Sequence, residues 1–337
     1  MSSVVRAWCR VDFGGGTLDI WPLGLFHSGA RTVNVAINLA ATVRLRRSED
    51  DIYRVRQGEA LVEAGSASAL TAQPEGALVG IVAEALGLPP VDVTLASDSP
   101  RGGGLGASSA MVIALIAAAE EELGRPASSA AARARLARDL EARLMSLPTG
   151  MQDHYPALLG GVLEILQRPG GEAVRRLEVD LERLGDALIV VYSGVSHFSA
   201  GNNWQVVRRR LDGEPEITQL FAGIAAAAAE LPEALEAGDF ARVGELMSRE
   251  WSFRRRLAPG ISTPELDALF AAATAAGAWG GKACGAGGGG CLAFLGPAGT
   301  RGEIAGALEK AGGRVLPARP AGAPLSVNRS VGRLSAD

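Results

Sequence analysis

Cysteine is scarce in this 337-residue chain: Cys9, Cys284 and Cys291 are all there is. An odd count without metal-ligand spacing excludes a disulfide framework and a structural zinc site, and it fits the reduced thiols of a cytoplasm. A basic stripe with interleaved aromatics is also missing. The 33 basic and 37 acidic residues leave a net charge of −4, so nucleic acid is not an expected partner. The apolar runs are rich in alanine, broken by Glu or Gly and too short for a bilayer, and the opening Met1–Arg6 carries no apolar signal segment. Neither membrane nor export is therefore expected. Two familiar nucleotide signatures fail as well. Ala107-Ser108-Ser109 stands where a Walker loop needs Lys and then Ser or Thr. No acidic residue closes a second strand about 20 residues on, as a dinucleotide fingerprint requires.

What is present is glycine, 44 residues concentrated in a few clusters, within a chain that is 47% hydrophobic and long enough for two domains. Pro100-Arg101-Gly102-Gly103-Gly104-Leu105-Gly106-Ala107-Ser108-Ser109 runs directly into the apolar segment Met111–Ala119. A glycine-rich loop feeding the N-terminus of a buried helix lets converging N–H groups and the helix dipole meet an anion. An earlier loop, Gly14-Gly15-Gly16-Thr17, follows the strand Val4–Phe13 and is flanked by Arg10, Asp12 and Asp19. Arg10 offers a planar fork to phosphate or carboxylate, and Asp19 can accept from vicinal hydroxyls. Gln152, Asp153 and His154 lie between Pro148-Thr149-Gly150 and Gly160-Gly161, on a turn opening a new element. Read from the turn alone, Asp153 is equally a helix cap. The last cluster, Lys282-Ala283-Cys284-Gly285-Ala286-Gly287-Gly288-Gly289-Gly290, precedes the strand Leu292–Leu295. Lys282 there touches a phosphate or simply flanks the strand. Strands are expected over Thr32–Leu45, Tyr53–Glu63, Val91–Leu95 and Ala187–Ser193, and helices over Glu75–Leu86, Ala131–Met145 and much of Ala222–Phe270. The charges of Ala131–Met145 and the run Arg254-Arg255-Arg256 read as solvated surface.

Pro-x-x-x-Gly-Leu-Gly-x-Ser-Ser-Ala resembles the second motif of the GHMP kinases. Arg10–Asp19 resembles their first motif in its sugar-kinase form, and Lys282–Gly290 their third. The three occur in the family's order across nearly the whole chain, closest to the D-glycero-D-manno-heptose 7-phosphate kinase-like branch. Ala107, where a third serine is common, and Met151, at a commonly basic or small position, are departures. The resemblance implies an α+β protein, with an N-terminal domain like ribosomal protein S5 domain 2 over residues 1–185 and a ferredoxin-like C-terminal domain over 186–337. It implies ATP and Mg²⁺, with a sugar or sugar phosphate as acceptor, in a monomer or homodimer. By motif match the triphosphate falls to Pro100, Gly102, Gly103, Gly104, Leu105, Gly106, Ala107, Ser108 and Ser109, and the metal to Ser108 and Glu141, the latter seven positions before Pro148. Asp153 becomes the base and Arg10 its partner at the γ-phosphate. Asp19, Gly15, Gly16, Thr17, Gln152, His197, Gly287 and Gly288 face the acceptor, with Asn203 a further candidate. The implied reaction phosphorylates the anomeric hydroxyl of a heptose 7-phosphate, whose own phosphate requires a second cationic pocket, for which Arg31, Arg101 and Lys282 are candidates. The alternatives are a kinase for another sugar or polyol, of uronic acid, fucose or galactose type, or a non-catalytic sugar or nucleotide sensor. An ATP-using decarboxylase relative would need a different first motif.

Overall fold

The computed structural model describes residues 2–196 and 200–330. In chain order the elements are β1 (Ser2–Gly14), β2 (Arg31–Arg47), β3 (Tyr53–Gln57), β4 (Ala60–Ala64), α1 (Ala67–Thr71), α2 (Ala77–Leu86), β5 (Val91–Ser97), α3 (Ala107–Glu122), α4 (Ala130–Met145), α5 (His154–Leu159), β6 (Val162–Arg168) and β7 (Gly171–Leu177). They continue with α6 (Leu181–Ala187), β8 (Leu188–Tyr192), α7 (Ala200–Leu211), α8 (Pro215–Glu236), α9 (Phe240–Arg254), α10 (Pro264–Ala275), β9 (Gly280–Ala283), β10 (Cys291–Leu295), α11 (Arg301–Lys310), β11 (Arg314–Leu316) and β12 (Ser326–Ser330). The class is α+β, and no helix among the described residues is long and apolar enough to cross a membrane.

Eight strands form the first sheet, in the order β12-β1-β2-β5-β3-β4, with β6 also pairing β2 and β7 pairing β6. Every pair is antiparallel except β3 with β5. The second sheet has the order β11-β8-β10-β9 and is antiparallel throughout. The expected strand over Ala187–Ser193 opens this second unit as β8. The expected boundary at residues 185/186 is not a clean cut, however. The strand β12 returns to pair with β1, so Ser326–Ser330 belong to the first sheet and not to the second unit.

Local signals account for the elements that carry the site. α3 is apolar on all sides from Met111 to Ala119, and a helix with no polar face is a core helix; these residues are all buried. α4 starts where Ser129 Oγ accepts from the Ala132 N–H at 3.2 Å, and α10 where Thr263 Oγ1 accepts from the Leu266 N–H. In β1 the alternation of side chains puts Cys9, Val11 and Phe13 on one face. There they join a core with Val33, Val35 and Ile37 of β2, Leu188 and Val190 of β8, and Leu295 of β10. One apolar core thus fuses the two sheets. Arg10 and Asp12 fall on the opposite face of the strand.

Candidate active site

The glycine-rich loop before α3 and the N-terminus of that helix form one wall of a cleft of about 510 Å³. The loop hangs directly on β1, because the Arg10 backbone N–H donates to Leu105 O at 2.9 Å. Gly106 takes φ +71°, and a Cβ there would lie 3.1 Å from Asp153 Cγ. Glycine is therefore what lets the Asp153 carboxylate sit against the mouth of α3. Gly104, at φ +70°, permits an equally close approach of Cys284 O from the last glycine cluster. That cluster is tied in twice more, by Cys291 N–H to Gly103 O at 2.8 Å and by Gly285 N–H to Asp12 Oδ1 at 3.1 Å. All three glycine loops meet in one place.

Asp153 precedes α5, yet its side chain makes no capping bond. Instead Arg10 donates to Asp153 Oδ1 from Nε at 2.7 Å and approaches it with Nη2 at 2.6 Å, while Arg10 Nη1 donates to Gly104 O at 2.5 Å. Asp153 is thereby held over the loop, and the arginine is buried between them. Asp12, on the same face of β1, is fully buried beside Arg10 and bonded to Lys282 Nζ, itself fully buried. Burial opposes the charge on Asp12, but Lys282 and Arg10 outweigh it and hold the carboxyl below its ordinary value. Lys282 is thus committed to a carboxylate and is not free for a phosphate. Arg31 is likewise taken by Glu164 at 2.7 Å, and of the three cations proposed for a second phosphate pocket only Arg101 lines the cleft.

Asp19 is 5% exposed, and its Oδ2 accepts the N–H groups of Met151 at 2.7 Å and Gln152 at 2.9 Å. Asp19 Oδ1 and Gln152 Oε1 are buried with no hydrogen-bond partner among the described residues, and both residues line the cleft. Burial pushes the Asp19 carboxyl above its ordinary value. Thr17 also lines this end, and an added Cβ on Gly16 would contact Gln152. Gly15 packs on Arg31 O beneath the loop. Gly287 reaches the cleft, whereas the Gly288 N–H turns away to Ile261 O at 2.7 Å. His197 lies outside the described residues, and the Asn203 side chain does too.

Glu141 is buried and faces the cleft from α4, so it is not part of a solvated face; nor is Arg133, paired internally with Glu120. The serine that meets Glu141 is Ser109, not Ser108: Ser109 Oγ lies 3.0 and 2.9 Å from the two carboxylate oxygens. Ser108 is exposed on the first turn of α3 and also lines the cleft. His154 Nε2, at 2.7 Å from Glu141 Oε2, completes a contact the sequence reading missed. Burial disfavours the charged imidazole, but Glu141 overrides it and the pKa of His154 is raised. The second missed residue is Arg254. It was expected at the surface with Arg255 and Arg256, but it is 2% exposed and bonded to Glu250, Gly16 O and Thr17 Oγ1.

A glycine-rich helix mouth, a carboxylate clamped beside it by arginine and a second carboxylate with an oxygen unpartnered among the described residues are the parts that phosphoryl transfer to an alcohol asks for. Family models agree. The GHMP kinases N terminal domain matches residues 75–161 and the GHMP kinases C terminal region matches 231–314. The mevalonate kinase of Pyrococcus abyssi is 31% identical over 272 residues, 79% of this chain and 75% of that protein. The D-glycero-alpha-D-manno-heptose 7-phosphate kinase of Campylobacter jejuni is 28% identical over 203 residues, 59% of each chain. A D-glycero-D-manno-heptose 1-phosphate kinase structure from Bacteriodes thetaiotaomicron shares the fold, with a TM-score of 0.78 over 98% of this chain and all of that one, at 22% identity. The chain belongs to the GHMP kinases, a family of ATP-dependent phosphotransferases.

Proposed function

We propose that this kinase transfers the γ-phosphoryl group of ATP to the anomeric hydroxyl of a sugar of the heptose 7-phosphate class. The observation that carries the reading is the Asp153 carboxylate, withheld from capping α5 and clamped by Arg10 against Gly106 at the mouth of α3. Such chemistry asks for positioning and charge neutralisation rather than covalent work. The loop Gly102–Ser109 receives the triphosphate on its N–H groups. Asp153 takes the proton of the attacking hydroxyl, or orients it. Arg10, held on Asp153 and Gly104 O, sets a fixed positive charge beside the charge developing on the transferred group. Asp19 Oδ1 and Gln152 Oε1, both without partners among the described residues, accept from hydroxyls of the acceptor. Magnesium suits the donors present, because it takes one or two carboxylates and fills its shell from water and phosphate. Glu141 and the hydroxyls of Ser108 and Ser109 would hold it, and it would neutralise phosphate charge.

The higher identity to a mevalonate kinase supports a second reading, in which the acceptor is a smaller hydroxy acid. One assay separates the two: ADP release with Mg-ATP over sugars, sugar phosphates and mevalonate, with Asp153→Ala alongside. Turnover is expected on heptose 7-phosphate, with a loss of roughly 10²-fold or more in the variant, the range for a positioned base. Turnover on mevalonate alone moves the second reading to the front, and full activity in Asp153→Ala removes the base.

A further inference from the structure

Arg254 closes α9, and its guanidinium reaches across the molecule to the first glycine loop. Nη2 donates to Gly16 O at 2.7 Å and Nη1 to Thr17 Oγ1 at 3.1 Å, while Nε and Nη2 hold Glu250 Oε1 at 2.9 and 2.5 Å. Glu250 is fully buried, one turn back on the same helix. What the fork grips is unusual. Thr17 has φ +74°, in the left-handed region, which a β-branched side chain seldom occupies. Such a conformation persists only where its surroundings impose it, and it concentrates at functional loops. Here Arg254 fixes both the carbonyl preceding Thr17 and the Thr17 hydroxyl. Thr17 lines the acceptor end of the cleft, two residues before Asp19. None of the hydrogen bonds of Arg254 goes to the nucleotide loop Gly102–Ser109.

We propose that Arg254 is a positioning residue for the acceptor: it locks Thr17 in its left-handed conformation and so sets the loop that delivers Asp19. This rests on the reading of Asp19 as the acceptor side of the site. It also makes α9, from the C-terminal unit, part of acceptor recognition, with Glu250 as the counter-charge that keeps a buried guanidinium tolerable.

The informative variant is Arg254→Lys. An ammonium retains the charge opposite Glu250 but cannot span Gly16 O and Thr17 Oγ1 together. With D-glycero-D-manno-heptose 7-phosphate as acceptor, its KM is expected to rise roughly tenfold, as for one lost charged hydrogen bond, while the KM for ATP stays within about twofold. A purely structural role would move both constants together or neither, and that result overturns the proposal. Urea unfolding of Arg254→Lys, Thr17→Gly and the double variant supplies a readout that needs no substrate. Glycine accepts positive φ freely, so the unfolding constants should show coupling of roughly fivefold or more, as for residues in contact; additive effects refute the lock. If the wild type is silent on every acceptor, the proposed function fails, and this cycle alone decides the role of Arg254. Should Arg254→Lys not fold, the pair Arg254→Met with Glu250→Gln removes both charges and is read by the same KM split.

Discussion

Removing Lys282 tests whether the last glycine cluster serves a phosphate or the interior. Lys282 and Asp12 are both fully buried and bonded to each other across 270 positions of sequence. In Lys282→Met the methylene stem is replaced by one of similar volume, so little cavity forms and the effect falls on Asp12. That carboxylate keeps the Gly285 N–H at 3.1 Å and the Arg10 guanidinium at 3.9 Å, but it loses its closest charge. Breaking one side of a buried pair costs about 3–5 kcal/mol, because the remaining ion stays desolvated. With a urea dependence of about 3 kcal/mol per molar, the unfolding midpoint should fall by about 1 to 1.7 M. Adding Asp12→Asn removes the orphaned charge and keeps an acceptor for Gly285, so the double variant should recover more than half of the loss. The assay is urea unfolding followed by tryptophan fluorescence, with the KM for ATP measured on each variant. An unchanged midpoint together with a raised KM for ATP would refute the pairing and make Lys282 a phosphate ligand.

Two further outcomes follow from burial. The Asp19 carboxyl is raised by desolvation, so the native state takes up its proton before the unfolded chain does, and stability falls as pH climbs through that window. Asp19→Asn should therefore raise the melting temperature at pH 7 by about 2 °C or more and flatten its dependence on pH above about 4, while raising the acceptor KM; a lower melting temperature at pH 7 would contradict this. Burial likewise pushes the thiols of Cys9 and Cys284 up to about 12, and that of Cys291 up as well. All three are free and buried, so the native protein should resist a disulfide reagent at neutral pH and yield three thiols once unfolded in guanidinium; prompt reaction of any one in the native state would show that its site opens.

Most of the backbone of the site is legible in the chain because it is written locally. Glycine clusters mark loops that must approach one another closely, and the all-apolar run Met111–Ala119 marks the core helix behind one of them. The i, i+2 spacing of Arg10 and Asp12 puts both on one face of a strand. The return of β12 to β1 is another matter. It joins residues more than 300 positions apart through a five-residue strand, and nothing in Ser326–Ser330 distinguishes that from a tail.

The charged residues whose burial the local charge pattern hides share one physical cause. Arg254 stands among arginines, but by helical spacing it continues the buried stripe Val243, Leu246, Met247, Glu250 and Trp251. Glu141 continues the stripe of Ala134, Ala137 and Leu140 in the same way. A charge on the apolar face of a helix cannot stay desolvated alone, so its position already demands a partner. For Arg254 half the answer was local, since Glu250 lies four residues earlier on the stripe. The other half, Gly16 and Thr17, lies more than 230 residues away and follows only from the packing of α9 on the first loop. Periodicity thus tells which charges are interior, while topology alone tells what they hold. In this chain Arg10 and Asp12 of β1, Glu141 of α4, Arg254 of α9 and Lys282 of β9 each line or brace the edges of a single cleft.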